Sequence, residues 1–488
     1  MEALDLARWQ FGITTVYHYF FVPITIGLSL LVAIMQTAWI RTRNPQWLRL
    51  TKFYGKLFTI NFALGLVTGI VQEFQFGMNW SDYSRFVGDI FGAPLAIEAL
   101  LAFFLESTFL GLWIFGWGRI PEKLHAAAIW LVHIGTVLSS YFILAANSFM
   151  QNPVGYTINP ESGRAELTDF LAVLTNKVQL VTFPHVMAAA YMTGGAFVMA
   201  FAIWHLWRTR TPRSDKGMYR KAAKLGALTV LVASLGVTIS GDLQGKVMTE
   251  VQPMKMAAAE GLYEDSPEGE GAPFSIITVG TLDGREEVWA VTVPKLLSYL
   301  ATGSFEGEVE GITHIQERYE LTYAGSELTE VDDYRPVVPV TYWSFRLMIG
   351  LGMLASAVAV AVLWVLRGKD TSESAGDPMA HRAWSWVAAT VLFMPLLANS
   401  FGWIFTEMGR QPWLVMGLMT TRTGVSPGTT AAEVITSMSV FTLLYGALAV
   451  VEVKLLLRYG RAGAEHVPED ASYDPSARDD DDAFVFTY

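Results

Sequence analysis

Long apolar segments alternate with shorter polar segments along the whole chain. Nine of the apolar segments are long enough to cross a hydrocarbon layer about 30 Å thick. They lack the strict two-residue alternation of a membrane strand, so we predict helices, which satisfy their own backbone hydrogen bonds in lipid. The predicted spans are Phe11–Trp39, Phe53–Phe74, Phe91–Trp117, Leu124–Asn147, Val178–Trp207, Met218–Ser240, Val338–Leu366, Ala383–Glu407 and Ala431–Leu457. The fold class predicted is an all-α integral membrane protein with about nine transmembrane helices.

The distribution of lysine and arginine between the short loops predicts the orientation of these spans. Loops after the odd-numbered spans carry about 16 positive residues, and the opposite set carries about 6. Since positive loops stay in the cytoplasm, the N-terminus is predicted outside and the C-terminus in the cytoplasm. The first span begins at Phe11 without a basic segment or a small-residue cleavage site, so it is predicted to be a membrane helix and not a removable signal peptide.

One connection is far longer than the others. Residues 241–337 are rich in Asp and Glu and separate the sixth and seventh spans. Connections of this length are usually functional or disordered. Because Val288–Tyr299 has the pattern of a local structural element, we expect a partly ordered extracytoplasmic lobe. The predicted division is 1–240 for helices one to six, 241–337 for the lobe, 338–460 for helices seven to nine, and 461–488 for an acidic cytoplasmic tail that is disordered.

Composition narrows the chemistry that the chain can perform. About half of the residues are apolar (52%) and only 16% are charged, as expected for a membrane protein. The chain contains no cysteine, which excludes disulfides, cysteine-ligated iron–sulfur clusters and cysteine-ligated haem within it. Any redox centre must therefore use His, Met, Glu, Asp or Tyr. The net charge of −11 falls largely in the long connection and the tail, and nothing indicates a nucleic-acid partner.

Ionisable and ligating side chains inside the predicted spans lie at similar depth. An ionisable group in a bilayer costs several kcal/mol unless it is paired or ligated, so each is a candidate functional residue. These residues are His18, Glu98, Glu106, His185, Met348 and Glu407. They come from five helices and fall in the outer half of the membrane, with Glu106 about two turns deeper than Glu98 on nearly the same helix face. The pattern predicts one shared functional layer.

The ligand types favour haem in this layer. An imidazole and a thioether together make a six-coordinate, electron-transferring haem, and His185 with Met348 could supply that pair. His18 or a carboxylate would suit a haem that is left open on one side for oxygen. Arg346 and Arg410 could pair with haem propionates.

These residues also have simpler interpretations. A lone histidine in an apolar helix is more often a hydrogen-bonded core residue, which is how we interpret His125, His133 and His205. Most methionines pack, and two glutamates could form a proton path or an ion site in a transporter. A di-haem cytochrome b would need paired histidines toward each membrane face, and a haem–copper oxidase would need a larger histidine cluster. From position and spacing alone, a haem protein and a transporter both remain possible.

Local sequence motifs separate these alternatives. The first span opens with Arg8-Trp9-Gln10-Phe11 and continues to Tyr17-His18. Ordered motifs follow at Gly92-Ala93-Pro94-Leu95-Ala96-Ile97-Glu98, Phe104-Leu105-Glu106-Ser107-Thr108, Ala146-Asn147-Ser148-Phe149-Met150-Gln151-Asn152-Pro153, and Gly402-Trp403 with Glu407 and Gly409-Arg410-Gln411-Pro412-Trp413. In this order, over nearly the whole length, the sequence resembles the large, quinol-oxidising subunit of cytochrome bd oxidases.

The resemblance implies roles for individual residues. His185 and Met348 match the two ligands of the low-spin haem b558, and Arg346 matches a residue that stabilises that haem. His18 and Glu407 match the axial ligands of the high-spin haems b595 and d, with the order left open. Trp403 matches an aromatic residue among the haems, and Glu98 matches a carboxylate beside the oxygen-reactive haem. Ser139 and Glu106 match a proton route from the cytoplasm, and Lys255 and Glu260 match residues implicated in quinol oxidation.

The resemblance also implies an activity and partners. The expected reaction is oxidation of quinol at the outer face of the bacterial plasma membrane and reduction of oxygen to water with cytoplasmic protons. Charge separation then arises without a pump. The connection after Glu260 is short, which resembles the short-loop type of this family. The expected partners are a second membrane subunit and a small single-span subunit.

Overall fold

Nine long helices dominate the computed structural model, which describes residues 2–266, 269–368 and 378–466. The main helices are α1 (Ala3–Thr42), α2 (Pro45–Met78), α3 (Gly88–Phe115), α4 (Glu122–Gln151), α5 (Lys177–Trp207), α6 (Arg213–Val251), α7 (Pro253–Glu260), α8 (Leu296–Thr302), α9 (Ile312–Tyr323), α10 (Val338–Val365), α11 (Ala383–Met408) and α12 (Ala431–Ala462). All of these except α7, α8 and α9 are long and apolar enough to cross a membrane. The prediction of an all-α membrane protein with nine spans is confirmed for the described residues. The predicted acidic tail lies outside them beyond residue 466.

Most of the spanning helices extend past the apolar segments that predicted them. The helix α2 begins at Pro45, where Asn44 caps it by accepting a hydrogen bond from the backbone N–H of Gln46. At the start of α12, Thr430 and Glu433 form a reciprocal capping box. Polar capping residues can close a helix beyond the hydrocarbon layer, because they satisfy backbone groups that have no partner within the helix.

Two spanning helices are irregular. The middle of α3 is a π-helical turn, Glu98–Phe103. Turns of this kind inside α-helices are frequent at functional sites, and here the turn begins at the candidate residue Glu98. The helix α11 is interrupted between Thr390 and Phe393. Both irregularities fall in helices that carry candidate site residues.

The centre of the bundle is the contact between α1 and α5. In their most apolar windows, 67% of α1 and 72% of α5 is buried, compared with 11% of α12. Gly27 of α1 faces Gly194 of α5 so closely that a Cβ atom on Gly27 would lie 2.6 Å from the Gly194 Cα atom. Only glycine permits two helix backbones to approach in this way. The helices α2, α4 and α6 pack around this pair.

Strands occur only outside the spanning helices in the described residues. Three antiparallel pairs form: β1 (Tyr156–Ile158) with β2 (Ala165–Leu167), β3 (Phe274–Gly280) with β4 (Glu287–Val293), and β5 (Trp413–Val415) with β6 (Met419–Thr420). The short helices Ser81–Phe86, Phe170–Leu174 and Thr421–Gly424 and the 3₁₀ turn Pro378–Ala380 complete the connections.

The lobe between α6 and α10 contains α7, the β3–β4 hairpin, α8 and α9. The element predicted at Val288–Tyr299 corresponds to most of β4 and the first half of α8. The sixth span differs from its prediction, since α6 continues past Ser240 to Val251. The polar residues at the end of α6 still form helical hydrogen bonds, which a hydropathy pattern does not detect. The lobe therefore starts with α7 directly after a long helix.

Candidate functional site

His185 and Met348 are positioned by two helix pairs that pack together. On α5, His185 shares a hydrogen bond of 3.1 Å between its Nδ1 atom and the Ser240 hydroxyl of α6. Gly241 leaves room beside the imidazole, since a Cβ there would lie 3.4 Å from its Cε1 atom. On α10, Met348 faces Gly402 of α11, where a Cβ would lie 3.0 Å from the thioether sulfur. A glycine thus lies beside each of the two potential ligands, His185 and Met348.

His18 is held in a similar way on α1. Its Nδ1 atom lies 2.9 Å from the Thr68 hydroxyl of α2, and a Cβ on Gly69 would lie 3.2 Å from its Cε1 atom. Within the described residues, no hydrogen bond reaches the Nε2 atom of either His18 or His185. Each imidazole is therefore oriented through one nitrogen while the other is left for a ligand.

The three histidines interpreted as core residues differ from these two. His125 contacts Gln36 at 2.7 Å and the Trp113 carbonyl at 2.8 Å. His133 contacts Ser29 at 2.9 Å and lies 3.4 Å from the Tyr191 hydroxyl, and His205 contacts the Gly460 carbonyl at 2.8 Å. All three are buried. Their ring nitrogens are used within the protein, in agreement with a structural role.

Glu407 lies in a polar cluster at the end of α11. One carboxylate oxygen accepts a hydrogen bond of 3.1 Å from the Asn147 amide of α4, and the other pairs with the Arg410 guanidinium. Arg410 also donates to the Leu414 carbonyl. Nearby on α11, the Trp403 ring meets Tyr19 of α1 edge to face, with centroids 5.2 Å apart. In the structure Glu407 and Arg410 pair with each other. Their roles as iron ligand and propionate partner stay predictions.

Glu260, at the end of α7, forms an ion pair with Arg346 of α10. The Arg346 Nη2 atom lies 2.6 Å from one carboxylate oxygen, and Nη1 lies 3.4 Å from the other. The side chains are 2% and 11% exposed, so both charges are removed from water. The Ser275 N–H of β3 also donates to the Glu260 carboxylate. The pair therefore attaches the lobe to a spanning helix, two residues before Met348 on that helix.

Lys255 occupies a second buried position on α7. Its ammonium donates to the Gln151 side chain at 3.3 Å and to the Gln252 side chain at 3.2 Å. It also lies 5.2 Å from the Phe405 ring centroid of α11. Burial lowers the pKa of Lys255 to about 7. Burial likewise raises the pKa of Glu260 to about 7, although Arg346 acts to lower it. Both groups can change protonation state near neutral pH.

The remaining candidates lie between α3 and α4. The Ser139 hydroxyl donates a 2.7 Å hydrogen bond to the Glu98 carboxylate at the π-helical turn. Glu106, further along α3, is buried against Gly135, where a Cβ would lie 2.7 Å from its Cγ atom. The structure thus places Glu98, Ser139 and Glu106 along the interface between α3 and α4.

Glu73 and Glu452 are among the ionisable residues inside predicted spans that were not selected as candidates. Glu73 of α2 lies within electrostatic range of Glu98, and Glu452 of α12 lies within range of Tyr17 of α1. The burial cost of a charge in lipid, which selected Glu98 and Glu106, applies equally to these two carboxylates and would have found them. Ser240, which orients His185, carried no comparable signal because serine is common in helices.

Comparison with protein families decides between a haem protein and a transporter. Residues 6–464 match the family described as cytochrome bd terminal oxidase subunit I. The chain belongs to this family. It is 47% identical over 468 residues to cytochrome bd ubiquinol oxidase subunit 1 of Bacillus subtilis (strain 168), covering 96% of this chain and 95% of that protein.

More distant relatives support the same family assignment. The chain is 36% identical over 516 residues to cytochrome bd-II ubiquinol oxidase subunit 1 of Escherichia coli (strain K12), covering 95% and 97% of the two chains. Its fold matches the bd oxidase structure from Geobacillus thermodenitrificans with a TM-score of 0.81 and 29% identity, covering 94% and 99%. The resemblance inferred from the motifs is confirmed, and with it the assignment to a respiratory terminal oxidase.

The site residues of this bd oxidase subunit fit the haem cofactors that the family implies. The Nε2 atoms of His18 and His185 are without hydrogen bonds, and the Met348 sulfur faces a glycine. Within the described part of the chain, the Nε atoms of Arg346 and Arg410 are buried and lack a partner. Imidazole, thioether and guanidinium are the donors that ligate haem iron and pair with propionates.

Proposed function

We propose that the chain is the haem-bearing catalytic subunit of a bd-type oxidase, oxidising quinol at the outer membrane face and reducing oxygen to water. The observation that supports this most directly is the Glu260–Arg346 pair. It joins a buried acid–base site in the lobe to the helix that carries Met348. Proton release and electron transfer can therefore occur at adjacent positions, as quinol oxidation requires.

Quinol chemistry is assigned to Lys255 and Glu260, within the segment 241–337. A quinol releases two protons when it is oxidised, and a carboxylate whose pKa is about 7 can accept one of them near neutral pH. Lys255 can orient the ring through a hydrogen bond, because its amine is held by Gln151 and Gln252. Arg346 then stabilises the carboxylate form of Glu260 between turnovers.

Three haems are assigned to this chain. His185 and Met348 would ligate haem b558, while His18 and Glu407 would be the axial ligands of haem b595 and haem d, with the order left open. When bound, the haem irons supply one-electron transfer and the oxygen-binding site. Arg346 and Arg410 would balance propionate charge, and Trp403 would pack among the macrocycles.

Protons for water formation are assigned to the interface of α3 and α4. Glu106 would receive them from the cytoplasmic side, and Ser139 would pass them to Glu98 through its 2.7 Å hydrogen bond. Glu98 would hold the proton beside the oxygen site. Because quinol protons leave on the opposite face, this sidedness generates a proton motive force without pumping.

The proposed setting is the bacterial plasma membrane, with the N-terminus outside and the C-terminus cytoplasmic. The subunit would work with a second membrane subunit and a small single-span subunit. Membership of a subunit I family supports the first of these partners. The small subunit rests on the sequence resemblance alone.

The deciding experiment is a reduced-minus-oxidised absorption spectrum of the purified complex, together with haem extraction. We expect both b-type signals and a chlorin-type d signal. Haem b without haem d would contradict the oxygen site. A colourless protein expressed with its partners would contradict the whole proposal and favour a transporter.

A further inference from the structure

The β3–β4 hairpin buries the polar side chains of Ser275 and Thr278 on one side and exposes apolar side chains on the other. The outer face carries Ile277, Val279, Trp289 and Val291, which are 40–54% exposed. Strand pairing places Val279 opposite Trp289 and Ile277 opposite Val291, so these side chains form one continuous patch. An uncharged face of this kind is unfavourable in water.

The inner face of the same hairpin closes the Glu260 site. The Ser275 hydroxyl lies 2.6 Å from the Tyr342 hydroxyl, and the Thr278 N–H donates to that hydroxyl at 2.6 Å. Thr278 packs against Gly261, the residue after Glu260. The hairpin thus separates the Glu260 site, on one side, from whatever contacts the apolar patch on the other side.

The length of α10 would place the hairpin at the level of the membrane surface. The helix α10 has 28 residues and is about 42 Å long at 1.5 Å per residue, which exceeds a 30 Å hydrocarbon layer by about 12 Å. If that excess is shared between the two ends, the hydrocarbon begins about four residues into α10, near Tyr342. The hairpin turn reaches Val338 at the start of the helix, where a Cβ on Gly284 would lie 2.9 Å from a Val338 methyl group.

An exposed apolar stripe of α10 starts beside the hairpin. Val340, Trp343 and Leu347 share one helix face and are 39–43% exposed. Tryptophans such as Trp343 and Trp289 are typical of the boundary between headgroups and acyl chains. The charged residues of the hairpin collect at its turn, as Asp283, Arg285, Glu286 and Glu287. The exposed stripe of α10 thus begins next to Val338 and Tyr342, two residues of this helix that contact the hairpin.

We propose that the outer face of the β3–β4 hairpin rests in the headgroup–acyl boundary of the membrane. The occupant of the patch is lipid, and the hairpin holds the Glu260 site at the depth where a membrane-dissolved quinol arrives laterally. The placement of the hairpin in lipid is inferred from its exposed apolar patch and from its contacts with α10. Only the lateral arrival of quinol rests on the proposed function.

The test uses the complete complex in lipid nanodiscs. Since the chain has no cysteine, Val279→Cys and Val291→Cys each introduce a single site for a spin label, with the unmodified complex reporting any background from partner subunits. Accessibility to oxygen, which concentrates in lipid, is compared with accessibility to a water-soluble nickel chelate. Leu321→Cys on the polar helix α9, 84% exposed, is the aqueous reference, and Met353→Cys on α10, 68% exposed, is the lipid reference.

We expect the oxygen-to-nickel ratio at positions 279 and 291 to be severalfold above that at 321 and close to that at 353. A ratio equal to that at 321 would place the patch in water and overturn the proposal. Exclusion of both reagents would show that protein covers the patch, which would also overturn it. These readings need no enzymatic turnover, so they stand apart from the test of the proposed function.

A kinetic measurement addresses the lateral arrival of quinol. Val279→Glu should raise KM severalfold for a long-chain quinol dissolved in the membrane and leave KM unchanged for a short-chain, water-soluble quinol. Leu321→Glu is the matched control and should change neither value. Equal effects on both quinols would contradict lateral entry.

Discussion

Replacing Glu260 by glutamine separates the two roles assigned to its carboxylate. The change removes a proton acceptor and leaves the Arg346 guanidinium, whose side chain is 11% exposed, without its counter-charge. An uncompensated buried charge costs about 3–5 kcal/mol, and an amide that keeps one hydrogen bond recovers about 1 kcal/mol. We therefore expect the attachment of the lobe to α10 to weaken by about 2–4 kcal/mol.

The rate of quinol oxidation should also fall in Glu260→Gln, because the variant lacks the proton acceptor. Loss of a positioned general base lowers turnover by about 10²- to 10⁴-fold. In the unmodified complex, quinol oxidation should rise as pH increases through about 7, because burial raises the pKa of Glu260 and only its deprotonated form accepts a proton. Oxygen consumption measured from pH 5.5 to 8.5 should show this rise. The part of it that comes from Glu260 should be lost in Glu260→Gln, while any part that comes from Lys255 stays.

The double variant Glu260→Gln/Arg346→Gln distinguishes the two effects. Removing both charges should restore the protection of α7 and β3 in hydrogen exchange, while turnover stays low. Glu264→Gln, an exposed carboxylate in the same lobe, is the control for a charge change alone. A Glu260→Gln complex with the wild-type rate and the same pH inflection would refute the assignment.

Three further variants test other parts of the structure. Met348→Leu keeps the side-chain volume but removes the thioether, so the low-spin b signal should be lost or shifted in the reduced-minus-oxidised spectrum; an unchanged signal would exclude Met348 as a ligand. Ser139→Ala removes the 2.7 Å hydrogen bond to Glu98, worth about 1 kcal/mol, and should slow proton uptake roughly fivefold in stopped-flow traces with haem content unchanged. Gly27→Ala should destabilise the complex by at least about 1–3 kcal/mol in thermal unfolding, since its Cβ would meet backbone of α5, whereas Gly12→Ala on the same helix has open space and should not.

Hydrophobic periodicity predicted the spanning helices well because the bilayer imposes one physical requirement on all of them. It did not predict where they end. The helix α6 continues past Ser240 to Val251 on polar residues, and the ends depend on capping groups such as Asn44. These features are set by backbone hydrogen bonding, which a hydropathy pattern does not contain.

The candidate site was accessible from sequence because charges in lipid are rare. The ion pairs between candidate residues could not be predicted from the sequence, since they depend on how separate helices and loops pack. The sequence named Glu260 and Arg346 separately, and only the fold brings their side chains to 2.6 Å. The same holds for Glu407 and Arg410, which pair with each other here. The haem assignments of these residues remain predictions.

The glycine contact between α1 and α5 has a consequence for the positions of the two candidate haem ligands His18 and His185. His18 precedes Gly27, and His185 precedes Gly194, by the same number of residues, nine. Both helices cross the membrane in the same direction, so each imidazole lies about 13.5 Å along its helix from a shared crossing point. The two histidines therefore lie at the same distance along their helices from one contact point. A slip of one helix by a single turn would move one histidine by about 5.4 Å relative to the other, and the closeness of the two glycine backbones is what resists that slip.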